Sequence, residues 1–248
     1  MIDLKYYITT DIGKKRKINQ DAVAGFVKGD TALFVVADGM GGHSHGELAS
    51  QEIIASCEGY WNSLTGNAEK KSFSILLCEV EKVLLEANAR IFQTYNQNDV
   101  CGSTVVALVV ADGCYGILSV GDSHIYMYRD KEFSLITTDD DWENLSTTRE
   151  RYSAEEIERH VNRGRLVSAM GIAPDVYLHV STGRLADKQK FLLCSDGLYK
   201  YCDHKFLRKE LKKIKSEDSM QKASKHYMDY VYKQGANDNI SFVLVGVS

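Results

Sequence analysis

The run Leu33-Phe34-Val35-Val36-Ala37 is apolar at every position and ends abruptly on Asp38-Gly39. Six residues, Ala32 to Ala37, rich in β-branched and aromatic side chains, read as a buried strand with a carboxylate at its edge. The same arrangement recurs along the chain. Ile117-Leu118-Ser119-Val120-Gly121 leads to Asp122, and Phe191-Leu192-Leu193-Cys194-Ser195 leads to Asp196-Gly197. Asp238 stands just ahead of the apolar run Ile240 to Val247, and Asp21 closes the polar stretch Asn19-Gln20-Asp21 before Ala22-Val23-Ala24.

Around these points the chain alternates strand and helix signals. Thr104 to Ala111 and Tyr115 to Val120 read as strands flanking Asp112-Gly113, a dipeptide that tolerates the positive φ of a tight hairpin, so the two pair antiparallel. Between Ser72 and Tyr95, Phe73, Leu76, Leu77, Val80, Val83, Leu84, Ala87 and Ile91 fall on one helical stripe. Shorter stripes follow Gly46 (Ala49, Ile53, Cys57, Tyr60), span Phe206 to Ile214, and span Ala223 to Val231 with Gly235 as C-terminal cap. Helices in pairs around hairpin-linked strands point to antiparallel sheets with helices outside, not to a doubly wound parallel sheet. The charged segment at about 137–168 is the least regular and is expected to form a flap with one short helix near Glu155–Val161.

Composition narrows the function. The 248 residues, 44% hydrophobic with a single proline and no repeat or linker, suit one domain over 1–248. A net charge of −4 gives no excess of positive charge for nucleic acid. Lys205, Arg208, Lys209, Lys212, Lys213 and Lys215 read as the solvated face of an amphipathic helix. The apolar runs are too short for a bilayer and the N-terminus lacks a signal peptide, so a cytoplasmic protein is expected. Six scattered cysteines without a Cys-x-x-Cys pair, most inside apolar runs such as Leu76-Leu77-Cys78, read as buried free thiols.

One Asp-Gly after a strand is ordinarily a turn, as Asp112-Gly113 illustrates. Aspartates at several strand margins differ, because strand ends in a sheet lie close together. Uncompensated anions so placed repel by roughly several kcal/mol at modest effective dielectric, so a positive charge belongs among them. Carboxylates and carbonyls without a histidine or cysteine cluster make a hard-oxygen site suited to Mg²⁺ or Mn²⁺.

Arg16-x-x-Asn19-Gln20-Asp21, Asp38-Gly39-Met40-Gly41-Gly42-His43, Gly121-Asp122-Ser123, Ser195-Asp196-Gly197 and Asn237-Asp238-Asn239 occur in that order over nearly the whole chain. The ordered set closely resembles the PPM family, the protein phosphatase 2C-like serine/threonine phosphatases in their compact bacterial form. The resemblance implies an α+β fold: a four-layer α-β-β-α sandwich of two antiparallel sheets flanked by helix pairs. It implies two divalent cations, Mn²⁺ or Mg²⁺, with a weaker third. Asp38 would bridge the two, the Gly39 carbonyl would complete the second, and Asp196 and Asp238 would hold the first. Asp21 would support the second through ordered water, Asp122 would share the third with Asp196, and Arg16 would clamp the substrate phosphate. Two adjacent cations lower the pKa of a shared water, and the hydroxide would attack phosphorus in line without a phosphoenzyme. The implied partners are phosphorylated proteins of a cognate serine/threonine kinase, with the enzyme a monomer.

The chain departs from the family pattern in places. Met40 stands where some members carry a candidate general acid, leaving leaving-group protonation unassigned, and Gln20 replaces a common glutamate. His124 is expected at the surface or supporting the site, His43 and His45 as solvated loop residues, and Asp140 where relatives often carry histidine. Gly39-x-Gly41-Gly42 lacks the features of a P-loop or dinucleotide fingerprint, and Gly121-Asp122-Ser123 lacks an esterase's partners. The rival readings are a pseudophosphatase binding module, which loss of Asp38, Asp196 or Asp238 would have favoured, and another two-metal phosphoester hydrolase.

Overall fold

The computed structural model describes residues 4–41, 45–64, 71–95 and 100–247; Gly42 and His43 of the glycine-rich motif lie outside them. Eleven strands appear among the described residues: β1 (Leu4–Asp11), β2 (Asp21–Lys28), β3 (Thr31–Gly41), β4 (Cys101–Ser103), β5 (Val105–Ala111), β6 (Cys114–Val120), β7 (His124–Arg129), β8 (Glu132–Leu135), β9 (His179–Arg184), β10 (Lys190–Cys194) and β11 (Ile240–Val247). The helices are α1 (Gly46–Ser63), α2 (Phe73–Tyr95), α3 (Ser146–Arg151), α4 (Ala154–Arg159), α5 (Asp196–Tyr199), α6 (His204–Lys213) and α7 (Glu217–Lys233). One sheet has the order β1-β11-β10-β7-β8. The other runs β2-β3-β5-β6-β9, with β4 paired to the end of β3. All neighbouring strands are antiparallel.

The period-2 geometry of a strand explains why the decisive runs are apolar throughout. In β3, Leu33, Val35 and Ala37 join the core beneath α1 and α2, whereas Ala32, Phe34 and Val36 join the core between the sheets. In β11, Phe242 and Leu244 pack under α6 and α7, and Val243 and Val245 face the other sheet. Both faces are covered, so the middle of each strand is apolar on both sides and polar residues such as Asp38 and Ser241 lie towards its ends. Burying one such side chain is worth about 1.5–3 kcal/mol, and Phe34, Phe191 and Phe242 are each fully buried. The four-layer α-β-β-α sandwich expected from the sequence is present.

The hairpin at Asp112-Gly113 has φ of 50° and 68°, as a two-residue turn between β5 and β6 requires. After α7, the Gly235 and Ala236 amides return to the Tyr232 and Val231 carbonyls, closing the helix with glycine at positive φ. The flap holds more order than its sequence suggests. A 3-10 turn at Trp142–Asn144, α3 and α4 replace the single helix expected, with α4 opened by a capping box of Ser153 and Glu156. Cys57, Cys101, Cys194 and Cys202 are buried thiols, but Cys78 is exposed because it lies on the outer face of α2, and Cys114 is half-buried. None of the described helices is long and apolar enough to cross a membrane.

Candidate metal centre

Asp21 opens β2 and Asp38 lies directly opposite it in β3. The strand does not end at Asp38: β3 continues to Gly41 by pairing with β4, and Thr104 interrupts the ladder between β4 and β5. At that interruption the Thr104 amide donates to the Asp38 carbonyl at 2.9 Å, and the Asp38 amide donates to Thr104 Oγ1 at 3.1 Å. Gly39 is glycine for room, since a Cβ there would sit 2.2 Å from the Gly46 carbonyl oxygen at the start of α1. Gly197 is similar, with the Asn239 carbonyl oxygen 1.8 Å from where its Cβ would be. Neither Asp-Gly is a turn, unlike Asp112-Gly113.

The other sheet brings the remaining groups. Asp196 begins α5 directly after β10, Asp238 precedes β11, and Asp122 sits where the chain crosses from β6 in one sheet to β7 in the other. Arg16 lies on the loop between β1 and β2. That loop is pinned by Asn239, whose Nδ2 donates to the Ile12 and Ile18 carbonyls while its Oδ1 accepts from the Gln20 amide. The result is a cleft of about 250 Å³ lined by Arg16, Gln20, Asp38, Gly39, Asp122, Asp196 and Asp238, with Leu166 reaching in from the flap. Asp21 lies behind it, buried, accepting a 2.8 Å hydrogen bond from Ser195 Oγ across the two sheets.

These carboxylates differ in how they are compensated. Burial, assisted by Asp21, Asp196, Asp122 and Asp238, pushes the Asp38 carboxyl well above the usual carboxylate range. Burial likewise raises Asp21 to about 6, against the lowering effect of the Ser195 and Ser241 hydrogen bonds. Asp122 is also raised, chiefly by burial and then by Asp196. Asp238 is instead gripped by both arms of Arg16, Nε and Nη2 each at 2.8 Å. Asp196 accepts from Lys200 Nζ at 2.6 Å, with Asp122 Oδ2 3.7 Å from the same nitrogen. Among the described residues no three acidic, histidine or cysteine side chains are already drawn into a metal cage. Three of the five aspartates, Asp122, Asp196 and Asp238, are paired with basic side chains of the protein, Asp122 at the longest distance.

Sequence reasoning passed over Lys200 and Thr104, and named Asn239 and Ser195 within motifs without giving either a role. Lys200 and Asn239 had a legible signal, one helical turn from Asp196 and next to Asp238 respectively; Ser195 and Thr104 act through contacts between distant strands. His124 is not at the surface: it is buried, its Nδ1 2.8 Å from Tyr126 Oη, its Nε2 3.0 Å from Asp139, and its ring stacked on Tyr199 at 3.6 Å. Asp140 is occupied by His179 Nε2 at 2.8 Å and by the Gly121 amide at 2.9 Å, which ties the flap root to the Asp122 turn. His45 is exposed at the start of α1.

A two-sheet sandwich with an aspartate-lined cleft at the strand ends offers a hard-oxygen site for divalent cations. Residues 13–244 match the family model for protein phosphatase 2C, and the chain belongs to that family. It is 32% identical to the serine/threonine protein phosphatase PstP of Mycobacterium tuberculosis over 79% of its length, and spans 36% of that longer relative. It is 26% identical to the serine/threonine phosphatase stp of Listeria monocytogenes, covering 95% of this chain and 93% of the other. The crystal structure of the Mycobacterium tuberculosis phosphatase superposes with a TM-score of 0.81 at 26% identity, covering 99% of each chain. A PstP catalytic domain in complex with two manganese ions superposes at 0.79 and 26% identity, over 100% of this chain and 99% of that one.

Proposed function

We propose that the protein is a metal-dependent serine/threonine phosphatase, acting as a single-domain cytoplasmic monomer on the phosphorylated substrates of a serine/threonine kinase. The observation that carries this reading is the set of four aspartates from both sheets lining one cleft, with Asp21 buried behind them and an arginine at the rim. The donors are all hard oxygens, and Asp21 and Asp38 form a register pair whose mutual repulsion a divalent cation would relieve, so the residues fit Mn²⁺ or Mg²⁺. Asp38 would reach both cations, the Gly39 carbonyl the second, and Asp196 and Asp238 the first, with Asp21 supporting from behind. Asp122 faces Asp196 where the weaker third ion was expected. When bound, the cations supply Lewis acidity, acidifying water and neutralising phosphoryl charge.

The chain's own residues do the rest. Arg16 lends its planar fork to two phosphoryl oxygens, a geometry it already uses on Asp238. Asp238 would hold a cation in place of that partner, leaving the guanidinium free for substrate. Ser195 keeps Asp21 oriented, and Asn239 holds the Arg16 loop against the start of β11. Leu166 presents an apolar side chain to one side of the cleft. The decisive test is phosphate release from a phosphothreonine peptide with Mn²⁺ and after chelation. Mn²⁺-dependent release lost in Asp38→Asn supports the reading; activity indifferent to chelation sinks it. Preference for a phosphodiester would favour another two-metal hydrolase.

A further inference from the structure

Lys200 stands beside the cleft aspartates, and the sequence pattern gave its charge no role. It follows α5 directly, and its amide bonds the Asp196 carbonyl at 3.0 Å, so its side chain rises on the same helical face as Asp196. A pair at this spacing on an open surface is ordinary. Here a second carboxylate joins it from a different part of the fold: Asp122, on the crossing between β6 and β7. The Nζ lies 2.6 Å from Asp196 Oδ2 and 3.7 Å from Asp122 Oδ2. The two carboxylates are mostly sheltered, with side-chain exposures of 19% and 20%. The helix turn that carries Lys200 is itself fixed, since Tyr199 stacks on buried His124, and His124 is held by Asp139 and Tyr126.

We propose that the Lys200 ammonium is a built-in substitute for a third divalent cation between Asp122 and Asp196, so that the loaded enzyme holds two cations rather than three. This rests on the metal-dependent reading of the cleft. The charge balance favours it. The four cleft aspartates and Asp21 behind them carry −5; two divalent cations, Arg16 and Lys200 supply +6, close to neutral and ready for a phosphate anion. A third divalent ion added beside the ammonium would have to displace it or accept direct like-charge repulsion across a few ångströms. A one-turn tether makes the lysine's local concentration far higher than that of a cytoplasmic metal ion. Its exposed stem lets it be replaced without opening the core.

The test counts Mn²⁺ bound by the full chain, from the loss of the free-ion electron paramagnetic resonance signal during titration. The expected stoichiometry is two for the unaltered protein, three for Lys200→Ala, two for Lys200→Arg and two for the double variant Lys200→Ala, Asp122→Asn. Three ions in the unaltered protein, or two in Lys200→Ala, would overturn the role of Lys200 while leaving the two-cation reading standing. No cation bound by the unaltered protein would overturn both. A third ion that persists in the double variant would place it elsewhere and overturn the assignment to the Asp122–Asp196 pair.

Discussion

Asp21 and Asp38, on neighbouring strands of one sheet, face each other across a register pair and take part in no ion pair among the described residues. Asp196 and Asp238, delivered by the other sheet, are each held by a basic side chain, Lys200 and Arg16. Two acids directly opposite in an antiparallel pair destabilise each other, and both are pushed above the usual carboxylate range, first by burial. The first pair is therefore the stronger demand for an external cation. The second pair is already partly served and must trade protein partners for metal. On the proposed reading, the pair in one sheet would draw ions in, while Lys200 beside the other sheet and Arg16 on the loop joining the two would take part in the exchange.

Breaking the uncompensated pair has the largest expected effect. Asp38→Asn removes the carboxylate proposed to reach both cations, at a cost of several kcal/mol of transition-state stabilisation, on the order of a thousandfold or more in kcat. Its metal-free form should melt at a higher temperature than the unaltered metal-free protein, because Asp21 loses an opposing anion. Thermal melts with and without Mn²⁺ alongside phosphopeptide assays check both signs. A catalytic loss accompanied by a lower metal-free melting temperature would mean that the Asp21–Asp38 pair is not repulsive.

On the compensated side, Arg16→Ala should lower kcat/KM on a phosphopeptide by about 30-fold, roughly 2 kcal/mol for one lost charge-assisted fork. Mn²⁺ affinity should hold or improve, because Asp238 no longer has a competing guanidinium. Calorimetric titration separates the two effects. Ser195→Ala leaves every carboxylate in place but removes the hydroxyl that orients Asp21, and an outer-shell loss of this kind weakens metal binding by about 10-fold to 100-fold. Unchanged affinity would show that Asp21 takes no part in holding metal.

The smallest effect is on pH. An acid whose folded pKa lies above its unfolded value binds its proton first in the folded state, so folding gains as pH falls through the folded pKa. With Asp21 at about 6 and Asp38 also pushed well above the usual carboxylate range, the metal-free protein should become more stable as pH falls from about 7.5 to about 5.5. With Mn²⁺ the trend should reverse, because the ligands must be deprotonated. Denaturant titrations at the two pH values read the sign directly.

Which parts of this were legible beforehand follows from burial. The central strands β3, β5, β10 and β11 are covered on both faces and announce themselves as continuous apolar runs. The edge strands β1, β8 and β9 were missed because their residues are partly exposed and mix polar with apolar side chains. β2, also an edge strand, was missed although Asp21 was singled out at its start. β7 is interior, yet the hydroxyls of Tyr126 and Tyr128 and the ring of His124 hide its pattern. The aspartates were visible because each adjoins a readable strand or a motif. Their compensation was not: the grip of Arg16 on Asp238 joins positions 222 residues apart, and the Lys200–Asp122 approach depends on a crossing between sheets.

Everything depends on cations entering the cleft between the two sheets. An anomalous difference map from crystals of the full chain grown with Mn²⁺ tests that most directly. The expected result is two strong peaks flanking Asp38, with Asp196 and Asp238 on one of them and Arg16 released from Asp238. A map without peaks there, with Arg16 and Lys200 still closed on their aspartates in millimolar Mn²⁺, would contradict it.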